Sequence, residues 1–194
     1  MQLVYPLTTE RLIIRALTSD DLERHHALFS NPDVVRYLYF GPFDRGAAQE
    51  HLARRSLVEL PNEGSWINFG VEVKGEGVLI GELAMGFISA AHAHYEVGYV
   101  FDPAFAGRGY ATEGAAMIVE LAISGLGAHR VSARLDARND PSARVLEKLG
   151  MRREAHFLQN EYVKGEWTDE LVYAILATEW RALHGPEPEF EFRN

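Results

Sequence analysis

The chain has 194 residues, 47% of them hydrophobic and 24% charged, which suits one soluble globular domain whose core needs no covalent staples. Its formal charge is −9, and no dense Lys/Arg face is visible, so no nucleic-acid partner is expected. There is no cysteine, no basic-then-apolar leader in MQLVYPLTTERLIIRAL, and no apolar run near the roughly 18 residues of a membrane span, so disulfides and thiolate zinc sites are excluded and a cytoplasmic protein without a membrane partner is expected.

In chain order, residues 11–17 (RLIIRAL) read as a first strand. Ser19 then caps a helix in which Leu22, His25, Leu28 and Phe29 recur at helical spacing. A short helix over 31–38 follows, with Asn31 as cap and Pro32 in its first turn, and a third helix begins at Asp44 and runs to about residue 60. The period then changes. Residues 66–73 and 78–88 alternate as the arms of a hairpin around Lys74-Gly75-Glu76-Gly77, and 94–101 (HYEVGYVF) form a fourth strand ended by Asp102-Pro103. A helix over 110–124 is stopped by Gly125 and Gly127, a fifth strand spans 129–135, and a helix over 139–149 is closed by Gly150. Residues 152–163 and 170–177 make a last hairpin around Lys164-Gly165-Glu166. We expect one domain over 1–185 and an acidic, mobile tail over 186–194. Helices first, a meander, then strand-helix-strand-helix and two strands make a mixed α+β sheet rather than a regularly alternating one.

Between the fourth strand and the following helix lies AFAGRGYATEGAA, 104–116. Such a turn aims several backbone N–H groups and the positive end of a helix at one point, and Gly107 and Gly109 let an anion approach the backbone. A phosphate or pyrophosphate is the ligand this implies. The turn lacks the Gly-Lys-Ser/Thr of a Walker loop, and Thr112 stands where a dinucleotide fingerprint needs Gly or Ala. A plain glycine-rich turn without ligand remains open on these residues alone.

A second signal follows in ARNDPSARVLEKLGMRRE, 137–154, where Asn139 caps a helix and Ser142 lies one turn in. With TERLIIRALTSDD, YEVGYVFDPAFAGRGYATEGA and VKGEWTDELVYAILATEW in the same order, the chain resembles the GNAT superfamily of acyl-CoA-dependent N-acyltransferases from residue 9 to residue 180. Within it, the chain is similar to the branch of the ribosomal-protein N-terminal acetyltransferases RimJ and RimL. The resemblance implies the GNAT fold, a central mixed sheet of about seven strands flanked by helices and splayed between the fourth and fifth. It also implies acetyl-CoA as cosubstrate, no metal, and transfer of an acetyl group to a primary amine, foremost a protein N-terminal α-amine. One departure stands out. The family pattern begins its phosphate loop with Gln or Arg, and Ala106 holds that position.

By this resemblance the pantetheine arm lies along the backbone of Val100 and Phe101, and the pyrophosphate on the loop Ala106, Gly107, Arg108, Gly109, Tyr110, Ala111 and Thr112, where the Arg108 side chain either adds charge or is simply solvated. A base must free the attacking amine, and an N-terminal amine, titrating near ~7.7–8.0 against ~10.4 for lysine, needs the least help. Glu96 shares a strand face with Gly98 and Val100 and is the first candidate, with Glu82 in reserve and a sheet-bracing ion pair as the rival role. Many members place a tyrosine on the helix over 139–149 to protonate the leaving thiolate. This helix has none, so Ser142 is the hydroxyl at hand, and Asn139 can contact the pantetheine or orient Ser142. Helix capping is the plain reading of both. His92 and His94 lack a third ligand for a metal. His25 and His26 read as packing or surface. Trp66, Tyr95, Tyr99 and Phe101 read as core, and Tyr37, Tyr39 and Phe40 as candidate groove residues. A small amine, polyamine or aminoglycoside acceptor, a succinyl donor, a CoA-binding module without turnover, and a homodimer through the closing hairpin remain as alternatives.

Overall fold

The hydrophobic alternation in the middle of the chain sets the centre of the architecture. The computed structural model describes residues 2–56, 59–185 and 190–193. In chain order it contains β1 (Gln2–Leu3), β2 (Leu7–Thr8), β3 (Leu12–Arg15), α1 (Leu22–Phe29), α2 (Pro32–Val35), α3 (Arg45–Arg55), β4 (Trp66–Val73), β5 (Leu79–Ser89) and β6 (His94–Phe101). There follow α4 (Tyr110–Glu120), β7 (Arg130–Asp136), α5 (Asp140–Lys148), β8 (Arg152–Val163), β9 (Glu166–Leu176), α6 (Ala177–His184) and β10 (Phe192–Arg193). One sheet runs in the order β2-β3-β4-β5-β6-β7-β9-β8 and has eight strands, one more than expected because the two-residue β2 joins its edge. A separate pair, β1-β10, joins residues from near the two ends: Leu3 lies opposite Phe192.

Several boundaries moved for local reasons. Thr18 rather than Ser19 opens the first helix, since Thr18 N–H donates to the Asp21 carboxylate at 2.8 Å. The short second helix ends at Val35 rather than 38, and a turn returns Leu38 N–H to Val35 O. α3 stops at Arg55, where both N–H and Oγ of Ser56 bond the Leu52 carbonyl at 2.9 Å and close the last turn. Of its expected continuation, residues 57–58 lie outside the described residues. The helix over 110–124 loosens into a π turn over Leu121–Gly125. Of the segment expected as a mobile tail, 190–193 folds back, with Val4 N–H on Glu191 O at 3.0 Å, and 186–189 and 194 lie outside the described residues.

α4 covers one face of the sheet over Leu83, Met85, Phe69 and Val131, the main core, and α5 packs beside it. Gly114 in α4 lets the helix come close: an added Cβ would stand 3.3 Å from Leu83 and 3.4 Å from Phe101. α1, α2 and α3 cover the other face through two smaller clusters, Leu17-Leu52-Leu79 and Leu28-Phe29-Val35.

The feature that makes a site is the one parallel step. β6 and β7 pair only at His94–Arg130, Tyr95–Val131 and Glu96–Ser132. Beyond Glu96, β6 stays with β5 as far as Phe101, and β7 stays with β9 as far as Asp136. The two strands therefore part, and a gap opens through the sheet between the α4/α5 face and the α1/α3 face.

Candidate active site

The turn after β6 is built by its glycines. Gly107 and Gly109 hold φ of +76° and +84°, a left-handed conformation that costs most side chains energy, and Gly109 is the cap of α4. A Cβ added at Gly107 meets nothing within 4 Å. Ala106 N–H closes a turn on Pro103 O at 3.0 Å, and Glu113 N–H closes the first helical turn on Gly109 O at 3.0 Å. The amides between them belong to the open end of a helix, which has no preceding carbonyls to receive them. Ala106, Gly107, Gly109, Tyr110, Ala111 and Thr112 line one cavity of about 620 Å³. Arg108 does not: its guanidinium stacks over Phe105, 5.4 Å from the ring centre. The opposite wall carries Arg144 and Lys148, one turn apart on α5. Open amides, room at the glycines and two cations suit a pyrophosphate.

This cavity meets a second, of about 200 Å³, at the gap, with Tyr99, Val100, Asn139 and Ser142 lining both. Asn139 Oδ1 accepts from Ser142 N–H at 3.2 Å and caps α5. Ser142 Oγ donates to Tyr99 Oη at 2.9 Å, and Tyr99 O–H reaches Ser142 O at 2.9 Å. Burial pushes the Tyr99 phenol well up, against a smaller downward pull from Ser142, so it stays protonated. The helix without a tyrosine thus receives one from the neighbouring strand. Tyr99 therefore lines both cavities rather than serving only as a core aromatic, and one expectation about the backbone changes with it. The Val100 carbonyl points toward β5, 2.6 Å from where a Gly81 Cβ would sit, because Glu82 and Val100 are cross-strand partners there. Alternation of the peptide groups then gives the gap-facing N–H and C=O groups to Tyr99 and Phe101. Val100 keeps its place in both cavity walls.

On the α1/α3 face, Glu96 stands at the closed end of the gap. It carries no hydrogen bond or ion pair among the described residues, and it flanks the cavity without lining it. Burial pushes its carboxyl pKa up; Arg134 opposes this and Glu170 adds to it. Glu82 does line the cavity but is occupied. It is 1% exposed, bonds His25 Nδ1, and accepts from Arg55 Nη1 at 3.2 Å. His25, 0% exposed, continues to His51 Nδ1 at 3.0 Å from its Nε2. Arg134 grips Glu170 through two bonds of 2.8 and 2.5 Å, and Arg138 holds Asp136 at 2.7 Å and Glu166 at 2.9 Å. Tyr37 and Tyr39 line this cavity, whereas Phe40 packs on Phe29 and Phe43. His94 bonds Ser132 Oγ at 2.8 Å, and no cluster of metal-ligating side chains occurs among the described residues.

Sequence reasoning passed over Tyr99, Arg144, Lys148, the histidines behind Glu82, and Arg11, whose guanidinium bonds the Arg108 carbonyl at 2.8 Å. Only the Arg144/Lys148 spacing, i and i+4 on one helix, left a readable signal.

A strand-to-helix anion turn beside a split in a mixed sheet defines the class: a fold made to lay a long phosphorylated cosubstrate across a sheet with its reactive end in the gap. The profile of the acetyltransferase (GNAT) domain matches residues 11–152, and the chain belongs to the GNAT acetyltransferase family. It is 34% identical to an uncharacterized N-acetyltransferase, YnaD, of Bacillus subtilis, over 90% of this chain and 98% of that protein. The crystal structure of a GNAT-family acetyltransferase from Bacillus anthracis superposes with a TM-score of 0.82 at 33% identity, over 90% of this chain and all of that one. The spermidine N-acetyltransferase of Vibrio cholerae, in complex with CoA and spermine, shares the fold with a TM-score of 0.74 at 21% identity, over 89% and 99% of the two chains. The chain is accordingly an acyltransferase of a family that uses acetyl-CoA.

Proposed function

We propose that this chain acetylates the α-amine of a protein N-terminus from acetyl-CoA, as in the RimJ/RimL branch. The observation that carries the choice of acceptor is charge compensation on the acceptor side. Four of the six carboxylates lining the cavity, Glu82, Asp136, Glu166 and Glu170, are each held by an arginine, while Asp169 bonds His156 and Glu161 has no ion pair among the described residues, so most of the wall's negative charge is compensated before a polycation arrives. A peptide terminus brings one ammonium and a run of polar backbone, and its amine is the more easily freed near neutral pH.

Bound acetyl-CoA would supply an activated acyl group at the gap. The amides of Gly107, Gly109, Tyr110, Ala111 and Thr112 would take the pyrophosphate, with Arg144 and Lys148 screening its charge. Tyr99 and Phe101 would hydrogen-bond the pantetheine amides in place of the missing β7 partner. Glu96 would accept the ammonium proton, directly or through one water, leaving the nitrogen lone pair free to form the C–N bond. As the C–S bond breaks, the Ser142–Tyr99 hydroxyl pair would donate to the leaving sulfur, with Asn139 fixing Ser142 on the helix end.

Glu161, a cavity carboxylate without an ion pair among the described residues, supports a polyamine acceptor as the second reading. A thiol-release assay separates the two, and the chain's lack of cysteine removes its background. The probes are peptides with free N-termini, the same peptides N-blocked but containing lysine, and spermidine. Turnover of free N-termini about tenfold or more above spermidine is expected, a factor equal to ~1.4 kcal/mol of discrimination. The reverse order would transfer the site to polyamines. Acetyl-CoA binding with no thiol release from any amine would leave a binding module.

A further inference from the structure

Arg11, the residue just before β3, reaches the turn that opens α4. Arg11 Nη1 donates to the Arg108 carbonyl at 2.8 Å, and the guanidinium lies 4.9 Å from the centre of the Tyr110 ring. The other side of the fork is anchored on Glu113 in the first turn of α4, with Arg11 Nε on Oε2 at 2.6 Å. Glu113 is itself fixed by Thr9 Oγ1 at 2.5 Å and Arg11 N–H at 2.8 Å. Burial raises the Glu113 pKa, but these hydrogen bonds and the Arg11 charge outweigh it, and the net shift is downward. Thr9, Arg11, Glu113 and the turn therefore form one unit, although its halves lie 97 to 104 positions apart in the chain.

The peptide bond explains what that unit does. A trans peptide is planar, with its C=O and N–H pointing in opposite directions. Drawing the Arg108 carbonyl out to Arg11 turns the Gly109 N–H the other way, and Gly109 lines the cavity. Arg11 also closes the space behind Gly109: a Cβ there would lie 3.3 Å from Nη2. With Ala106 supplying no polar side chain to brace the loop, the bracing arrives from the N-terminal strand instead.

We infer that Arg11 is a positioning residue for the cofactor, holding the turn so that its amides face the pyrophosphate. The inference rests on the cofactor reading above. Arg11 does not bind the phosphate in this account, and that makes it separable from simple charge attraction. Removing the Glu113 charge beside a phosphate site should tighten an anion if electrostatics alone mattered, but it should weaken CoA if Glu113 anchors the clamp.

The experiment titrates CoA by calorimetry and pantetheine, which lacks the pyrophosphate, by ligand-observed NMR, against wild type, Arg11→Met, Arg11→Lys and Glu113→Gln. Thermal melts check that each variant is folded. Arg11→Met should raise the CoA Kd about tenfold, the worth of one charge-assisted hydrogen bond, and leave pantetheine within about twofold. Arg11→Lys, which keeps the charge but not the fork, should restore little, and Glu113→Gln should weaken CoA. Equal losses for CoA and pantetheine, full recovery in Arg11→Lys, or tighter CoA binding by Glu113→Gln would each overturn the clamp. If Arg11→Met does not fold, the Lys and Gln variants decide. Failure of folded wild type to bind CoA would sink the cofactor reading itself, a different result from any of these.

Discussion

At the scale of single residues the proposed chemistry rests on Glu96 and Ser142, and each has a neighbour that qualifies it. Glu96, like Glu161, is an acceptor-side carboxyl without a hydrogen bond or ion pair among the described residues, and its pKa is raised chiefly by burial. Glu96→Gln is expected to lower kcat/KM by about 10²-fold or more while leaving the CoA Kd unchanged. In wild type the rate should fall as pH drops through the raised Glu96 pKa, because a protonated carboxyl accepts nothing, and this acid limb should vanish in the variant. A pH–rate profile of both proteins checks it. Ser142 shares its hydroxyl with Tyr99. Tyr99→Phe should therefore lower kcat about tenfold with little change in CoA affinity, read by single-turnover thiol release, since it removes one of two donors near the leaving sulfur. The role of Asn139 as cap was legible because capping is a property of neighbouring residues. Tyr99 was not, because its partner lies 43 positions away and its alternation alone places it among core aromatics.

Where elements meet, the contact between α1, α3 and β5 holds a buried polar chain, Glu82–His25–His51, with Arg55 at its edge. Burial, with Arg55, His25 and Arg54 adding, drives the His51 pKa down to about 3. An unfolded histidine titrates near ~6.5. Between those values the unfolded chain holds a proton that the folded chain refuses, so stability rises with pH. The contribution is complete above about pH 6.5 and is lost as pH falls toward 3. Urea midpoints at about pH 7.5, 6.5 and 5.5 should fall in wild type and fall less in His51→Gln, which keeps a side-chain amide for His25 but cannot be charged. An equal slope in both would place the acid sensitivity elsewhere. The elements themselves were partly readable. β4 and β6 begin and end where strict alternation does. α3 was drawn too long because its end is fixed by Ser56 folding back on Leu52, which no hydrophobic period reports.

The whole molecule is organised around the parting of β6 and β7, which brings the phosphate turn, the α5 cap and the acceptor face to one gap. Its net charge of −9 makes an anionic cosubstrate dependent on local cations, Arg144 and Lys148 among them, so CoA affinity should decline with added salt. CoA at a hundred times its Kd adds about 2.7 kcal/mol of stability, which for a domain of this size raises Tm by roughly 5–11 °C. Differential scanning calorimetry over a CoA series checks this, and an unchanged Tm would speak against the site.

Strands β3 to β9, the glycine turn, the α5 cap and the family were legible in the residues alone, because periodicity, φ preference and capping act between residues close in the chain, whereas the two-residue strands β1, β2 and β10 were not. Tertiary structure decided the rest. Which edge of β6 faces the gap depends on β5 pairing on its other side, and so assigned the open backbone groups to Tyr99 and Phe101 rather than Val100. The reach of Arg11 to residue 108, of Tyr99 to Ser142, and of His25 to Glu82 depends on sheet register and helix packing. These are long-range choices made by burial of the whole core, and no local pattern encodes them.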